Sequence, residues 1–279
     1  MEELRDEKLK NLLKEIYEKE SAEKLDLVLS RLLQILKETI PYKKNQKSKY
    51  QLWDQTSVVL ITYPDAVYFA DKPSLEILSE LTINYMGNLS SIIHILPFLK
   101  STSDGGFAVS SHEEIDPTFG DWNYLKKIAE DRDIMADLVL NHVSSSHHWV
   151  EDFRKNKEPC SNYIFAPSKN NDWSKVFRPR DSSLFISLQT INGPKNVWTT
   201  FGSDQIDVNW NEPELLVEYL KLIARYIKNG VSWLRLDAVG FIWKTPGTKC
   251  LHQKEAHKIV EVIRYLFNKV LSNGVLITE

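Results

Sequence analysis

An α/β fold built on a parallel sheet is what this sequence predicts, and three observations predict it. From residue 57 to the end, apolar strand-like runs alternate with amphipathic helix-like runs. That rhythm means parallel strands joined by right-handed crossovers. Each strand-like run also finishes in polar residues, the habit of a barrel whose strands carry their chemistry at their C-terminal ends. Finally, the rhythm is interrupted once, over 143–205, by a polar stretch holding Pro159, Pro167, Pro179 and Pro194. It is too long for an ordinary loop and is expected to form a small irregular subdomain over those strand ends.

The elements follow in order. Leu4, Leu9, Leu12, Leu13, Ile16 and Tyr17, then Leu25, Val28, Leu29, Leu32, Leu33, Ile35 and Leu36, recur at helical spacing on either side of a break at Ser21. Residues 1–50 therefore read as two amphipathic helices, a lid or an appendage, followed by a linker. The basic run Tyr42-Lys43-Lys44-Asn45-Gln46-Lys47-Ser48-Lys49 is most simply solvated; nucleic-acid contact is the sharper alternative and lacks arginine or aromatic support. Val58-Val59-Leu60-Ile61-Thr62-Tyr63 is the first strand, and a helix over 74–86 follows, closed by Gly87. Ile92-Ile93-His94-Ile95-Leu96 is the second strand. The next helix covers 122–130 behind an Asp121 cap, and the third strand runs over 134–140. A helix over 212–228, with Pro213 in its first turn, leads to a fourth strand after Asn229-Gly230. A helix over 255–271 and the strand Val275-Leu276-Ile277 complete the series.

Composition narrows the function classes. The 279 residues are 42% hydrophobic, enough for one barrel-sized domain or two ordinary ones, and the net charge of −3 disfavours a dedicated nucleic-acid or anionic-membrane binder. No apolar run approaches a membrane span, and the start Met1-Glu2-Glu3-Leu4-Arg5 is not a signal peptide. Cys160 and Cys250 are the two cysteines, without CxxC spacing, so a disulfide framework or zinc site is not expected and a reducing cytoplasm fits.

The chemistry centres on Val231-Ser232-Trp233-Leu234-Arg235-Leu236-Asp237-Ala238-Val239. Strand alternation puts Trp233, Arg235 and Asp237 on one face, and a cation two positions away should keep Asp237 ionised. An ionised carboxylate aimed into a pocket is a nucleophile or base candidate; the alternative is a structural ion pair. The other strands end similarly. The first delivers Tyr63 and Asp65. The second carries His94 and leads to Asp104-Gly105-Gly106-Phe107, and the third contains Asp137 and runs into Asn141-His142. The fifth ends at Glu279. His94 alone reads as a core residue with one satisfied hydrogen bond, but five polar strand ends are harder to dismiss. Asp237 and Glu279, on neighbouring strands, suit glycosyl transfer, one attacking and the other protonating. A metal set of Asp137, His142, Asp237 and Glu279 has no HxH or HExxH spacing behind it.

Asp137-Leu138-Val139-Leu140-Asn141-His142, Leu234-Arg235-Leu236-Asp237-Ala238-Val239 and Leu276-Ile277-Thr278-Glu279 resemble, in order, the first three conserved regions of the α-amylase superfamily, glycoside hydrolase family 13. Within it the chain is similar to the sucrose phosphorylase subgroup, which includes glucosylglycerate phosphorylases. That likeness rests on Ile61-Thr62-Tyr63-Pro64-Asp65, Ile93-His94-Ile95-Leu96-Pro97-Phe98, Asp104-Gly105-Gly106-Phe107, Val176-Phe177-Arg178-Pro179-Arg180, Trp198-Thr199-Thr200-Phe201 and Trp243-Lys244-Thr245-Pro246-Gly247-Thr248. It runs from about residue 50 to the end.

The resemblance implies a (β/α)8 barrel, of which this chain carries the first five units. It implies a retaining double displacement with Asp237 as nucleophile, Glu279 as acid then base, and Arg235 orienting Asp237. Asp65, His94 and His142 would bind hydroxyls of the glucosyl unit, with Asp137 and Phe107 supporting the site. The partners implied are a sugar donor and inorganic phosphate, with no metal or other cofactor. Arg178 and Arg180 could meet the phosphate or could be two surface arginines. A hydrolase of the same superfamily and a catalytically inactive barrel used for binding remain the alternatives. An eight-fold barrel takes about 250 residues, so the 279 residues are expected to be an N-terminal fragment, inactive alone.

Overall fold

The computed structural model describes residues 6–42, 53–69, 71–87, 89–168 and 170–279, so the lysine-rich run over 43–49 lies outside the described residues. The chain opens with α1 (Glu7–Ile16) and α2 (Ala22–Thr39). Asp6 caps α1 by accepting from the Leu9 amide, and Ser21 caps α2 by accepting from Lys24, which is why the pattern breaks there. The body follows as β1 (Val59–Thr62), α3 (Ser74–Asn84), β2 (Ile92–Ile95), α4 (Trp122–Asp131) and β3 (Asp133–Val139). Next come β4 (His142–Ser144), α5 (His148–Arg154), β5 (Phe185–Thr190), β6 (Gly193–Trp198) and β7 (Gln205–Asp207), then α6 (Glu214–Lys228), β8 (Val231–Asp237), α7 (Lys254–Val270) and β9 (Val275–Thr278). Asp121 caps α4 as its sequence announces. α6 starts two residues later than the expected 212, so Pro213 is its N-cap and not part of its first turn, and Gly87 takes its left-handed φ of 47° just beyond the end of α3.

Five strands form one parallel sheet in the order β1-β2-β3-β8-β9, each beside its sequence neighbour in the barrel rhythm. The two faces of the sheet differ. Ile93, Ile95, Ile134, Ala136, Leu138, Leu234 and Leu236 face outward into a large apolar core with the helices. Inward-facing Ile92, Met135, Trp233 and Val275 form a second, small cluster with Val59. That cluster is the apolar floor of the barrel, and the residues above it are charged. The architecture is an incomplete (β/α)8 barrel.

α1 and α2 pack on the outer helices α6 and α7, so of lid and appendage the packing favours the appendage. Lys24 reaches Glu212 at 3.0 Å, Arg31 pairs with Glu214, and Lys258 pairs with Glu15. The insertion holds more regular structure than its composition announces. β5 and β6 form a hairpin closed at Asn192-Gly193, where Gly193 takes a φ of 90° that a side chain would resist. β4 and β7 pair antiparallel, bringing residues 205–207 back beside 142–144.

Candidate active site

One hydrogen-bonded chain crosses the sheet. On β2, His94 Nε2 lies 2.8 Å from Asp137 Oδ2 on β3. On β8, Arg235 Nη1 donates to Asp137 Oδ1 at 2.5 Å and to Asp237 Oδ1 at 3.1 Å. Its Nη2 pairs with Glu279, just past β9. Parallel register explains the alignment, since Asp137 stands beside Arg235 and Val139 beside Asp237. The Asp137 carboxylate is fully buried, which is tolerable only because it receives both partners.

The upper end of this chain opens into a cavity of about 370 Å³ lined by Asp104, Phe107, His142, Arg180, Phe201, Gln205, Arg235, Asp237, Ala238, Phe241 and Glu279. Phe107 lies over the Arg235 guanidinium, with 5.7 Å from Cζ to the ring centroid. Gln205 Nε2 donates to Asp104 Oδ2 at 2.8 Å and lies 3.1 Å from His142 Nε2. With Gln205 as donor, Nε2 is the acceptor of a neutral imidazole and the proton sits on Nδ1. The Asp104 loop is pinned by Asp204, which accepts from Thr102 and Ser103 at 2.6 Å each and from Ser145 Oγ at 2.5 Å. Two glycines make the loop possible. Gly106 has a φ of 100°, and a Cβ there would meet the Pro97 carbonyl at 2.6 Å.

Behind His142 lies a buried polar knot. Asp207 accepts from the Thr200 amide at 2.9 Å and from Asn141 Nδ2 at 3.0 Å, and it pairs with Lys244 Nζ at 2.7 Å. Lys244 also donates to Asn141 Oδ1 at 3.0 Å.

Desolvation decides the charge states. Burial lowers the His142 imidazole to about 4; Asp207 and Asp104 oppose the fall and Lys244 adds to it. Burial raises the Asp237 carboxyl to about 6 against the pull of Arg235, and Asp137 adds to the rise. Arg235 favours the ionised form of Asp237 as expected, but its guanidinium is shared among three carboxylates and desolvation outweighs its pull. Ala238, next to Asp237, has a φ of 54°, a left-handed conformation that turns the chain sharply out of β8.

The α-amylase catalytic domain matches residues 80–268, more than half of the chain. The chain belongs to the α-amylase family. A glucosylglycerate phosphorylase from Allomeiothermus silvanus is 40% identical over 227 residues, covering 81% of this chain and 41% of that protein. A second, from Spirochaeta thermophila, is 32% identical over 274 residues, covering 98% of this chain and 47% of that protein. The crystal structure of sucrose 6F-phosphate phosphorylase from Thermoanaerobacter thermosaccharolyticum superposes with a TM-score of 0.70 at 31% identity, covering 81% of this chain and 48% of that one. The chain thus spans less than half the length of the curated relatives it matches.

Within this α-amylase-family domain the residues singled out from sequence separate into three groups. Asp237, Glu279, Arg235, His142 and Phe107 share the cavity. His94 and Asp137 lie beneath it as a buried pair, so His94 turns its Nε2 to Asp137 and is not among the lining residues. Asp65 is exposed in the turn after β1, outside the lining. Of the two arginines weighed as anion contacts, Arg180 lines the cavity and Arg178 does not. Asp104, Gln205, Phe201 and Phe241 escaped attention as site residues. The Asp104-Gly105-Gly106 turn was a readable signal for the first; Gln205 arrives through the β4–β7 pairing, which has no local signature.

Proposed function

We propose that this cavity transfers an α-glucosyl group with retention, most simply from sucrose or a related α-glucoside to inorganic phosphate, forming glucose 1-phosphate. The observation that carries the reading is one cavity holding Asp237 and Glu279, both contacting Arg235, with a second cation, Arg180, on its wall. The names of the relatives, glucosylglycerate and sucrose 6F-phosphate phosphorylases, support the same class of reaction.

In the first step the Asp237 carboxylate forms a bond to the anomeric carbon as the bond to the aglycone oxygen breaks, and Glu279 gives that oxygen a proton. In the second, a phosphate oxygen attacks the anomeric carbon, the ester to Asp237 breaks, and Glu279 recovers a proton from phosphate. A carboxyl group at about 6 is ionised in the majority at neutral pH, as the nucleophile requires. Asp104, His142 and Gln205 offer acceptors and donors to the glucosyl hydroxyls, and Phe107 supplies an apolar face. Arg180 would draw the anionic acceptor. Asp137 and His94 hold Arg235 from below.

The test is incubation of the complete polypeptide with sucrose and with glucosylglycerate, with and without phosphate. Glucose 1-phosphate formed only with phosphate is the expected result. Free glucose released at the same rate in both conditions would replace phosphorolysis with hydrolysis, and no reaction would favour a binding role.

A further inference from the structure

Three segments far apart in sequence build the polar wall of the catalytic cavity. The loop after β2 delivers Asp104, β4 begins at His142, and β7 begins at Gln205. Local geometry does not hold the first of them. Asp104 is exposed and takes a left-handed φ of 55°, followed by Gly105 at 59° and Gly106 at 100°. A side chain adopts that conformation at a cost and keeps it only where surrounding contacts impose it.

Those contacts converge on Asp204, which is half-buried and does not itself line the cavity. Thr102 and Ser103, on the Asp104 loop, donate to its Oδ2 at 2.6 Å each. Just past β4, Ser145 Oγ donates to its Oδ1 at 2.5 Å, and the Ser145 amide donates to the Asp204 carbonyl at 2.9 Å. Thr102 Oγ1 also lies 2.6 Å from Ser144 Oγ. Because the Thr102 proton goes to Asp204, Ser144 is the donor in that bond. Gln205 is the next residue in the chain, so β7 starts where the carboxylate is anchored. Burial alone would raise the Asp204 carboxyl, but the hydrogen bonds from Ser103, Ser145 and Thr102 hold it below the ordinary carboxylate value. An ionised carboxylate accepts at both oxygens and donates at neither, which suits a point where several hydroxyl protons meet.

We propose that Asp204 is a positioning residue: its carboxylate sets the spacing of Asp104, His142 and Gln205, and with it the fit of the glucosyl hydroxyls. The role rests on reading the cavity as a glucosyl-transfer site. Asp204 acts through the three residues it spaces.

The experiment compares the complete polypeptide with Asp204→Asn, which keeps the side chain's size but exchanges an acceptor oxygen for a donor. A second variant, Thr102→Val with Ser103→Ala, removes the loop's ties and leaves Asp204 in place. Kinetics use whichever of sucrose and glucosylglycerate is turned over with phosphate. The KM for that sugar should rise about tenfold in both variants while kcat changes by less than about threefold, the pattern of lost uniform binding. Combining the two variants should add little, since both break one network. Thr102→Ser, which keeps the hydroxyl, should restore most of what Thr102→Val loses. A readout without turnover is the His142 imidazole NMR signals, assigned by their disappearance in His142→Gln. They should shift in Asp204→Asn as Gln205 moves relative to His142. Urea unfolding checks that each variant is folded, and should Asp204→Asn fail to fold, the Thr102→Val, Ser103→Ala variant carries the test. Unmoved His142 signals, or an unchanged KM with lowered stability, would reduce Asp204 to a folding role and overturn the proposal. If the unmodified polypeptide turns over neither sugar, glucosyl transfer fails as the activity, and the His142 signals alone judge Asp204.

Discussion

The Lys244 ammonium lies 2.7 Å from the Asp207 carboxylate, and both side chains are closed to solvent, at 2% and 0% exposure. Removing one member strands the other charge in a low-dielectric interior, whereas removing both is far milder. Lys244→Met should therefore destabilise the fold by about 3–5 kcal/mol. Adding Asp207→Asn should recover part of that loss, because the leftover carboxylate is gone. Urea unfolding of both variants measures it; equal losses would show that the pair is not coupled. His142, which feels Lys244, should titrate higher in the single variant, visible in its imidazole NMR shifts.

Asp237 gives a pH dependence of unusual sign. Its folded value of about 6 lies above the ordinary carboxyl value of 3.8, so the folded state holds the extra proton between those limits. Stability from this group is greatest below about 3.8 and is lost as pH rises through about 6. Asp237→Asn removes the cost of a buried charge, so it should stabilise the protein at pH 7 by roughly 3 kcal/mol at most. That advantage should vanish by about pH 4. Denaturant titrations at the two pH values decide; an equal effect at both would assign it to packing.

The buried imidazoles work the other way. Burial holds His142 at about 4 and His112 at about 3, and it lowers His147 as well. Their contribution is present above the ordinary histidine value of about 6.5 and is lost as pH falls through that value toward 4 and 3. Each of the first two contributes roughly 3 kcal/mol over the fall from pH 6.5 to 4, so together they outweigh the opposing effect of Asp237. Stability should decline on acidification below about pH 6.5. His112→Phe should make that decline shallower in urea titrations across the window.

The strand–helix rhythm, the caps at Ser21 and Asp121, and the polar strand ends were legible because each depends on near neighbours in sequence. The arrangement of the cavity was not. Asp65 and Asp104 both follow a strand, and alternation cannot say how either loop runs; the ties from Thr102 and Ser103 to Asp204 that hold the Asp104 loop join residues about a hundred positions apart. His94 by its place on β2 reads as a core residue with one satisfied hydrogen bond, and Asp137 on the next strand is the partner that the sequence does not name. Desolvation of Asp237 was equally invisible, since the sequence shows Arg235 nearby but not its other two carboxylates.

The division of labour between the carboxylates can be checked by trapping. In the complete polypeptide, Asp237→Asn should abolish turnover and prevent any glucosyl-enzyme from accumulating. Glu279→Gln should slow both steps yet still allow an adduct from a donor with a good leaving group. Mass spectrometry of the labelled peptide should place the sugar on Asp237. A label on Glu279 would reverse the roles. A bound-sugar structure should place the two carboxyl groups about 5–5.5 Å apart, the spacing of a retaining pair.

β1 and β9 are the two edges of the five-stranded sheet, and each has one side without a strand partner among the described residues. Such an edge templates pairing with another chain. Apolar side chains accompany it: Ile61 on β1 is 63% exposed and Ile277 on β9 is 40% exposed. Tyr68 and Tyr85, on either side of α3, are about four-fifths exposed. Residues 1–279 produced by themselves should therefore self-associate and transfer no glucosyl group. Sedimentation velocity should show concentration-dependent growth, and placing charge on the edges with Ile61→Lys and Ile277→Lys should reduce it. If the unmodified 279 residues are monomeric, melt cooperatively and release glucose 1-phosphate from sucrose, the open edges are not what limits them.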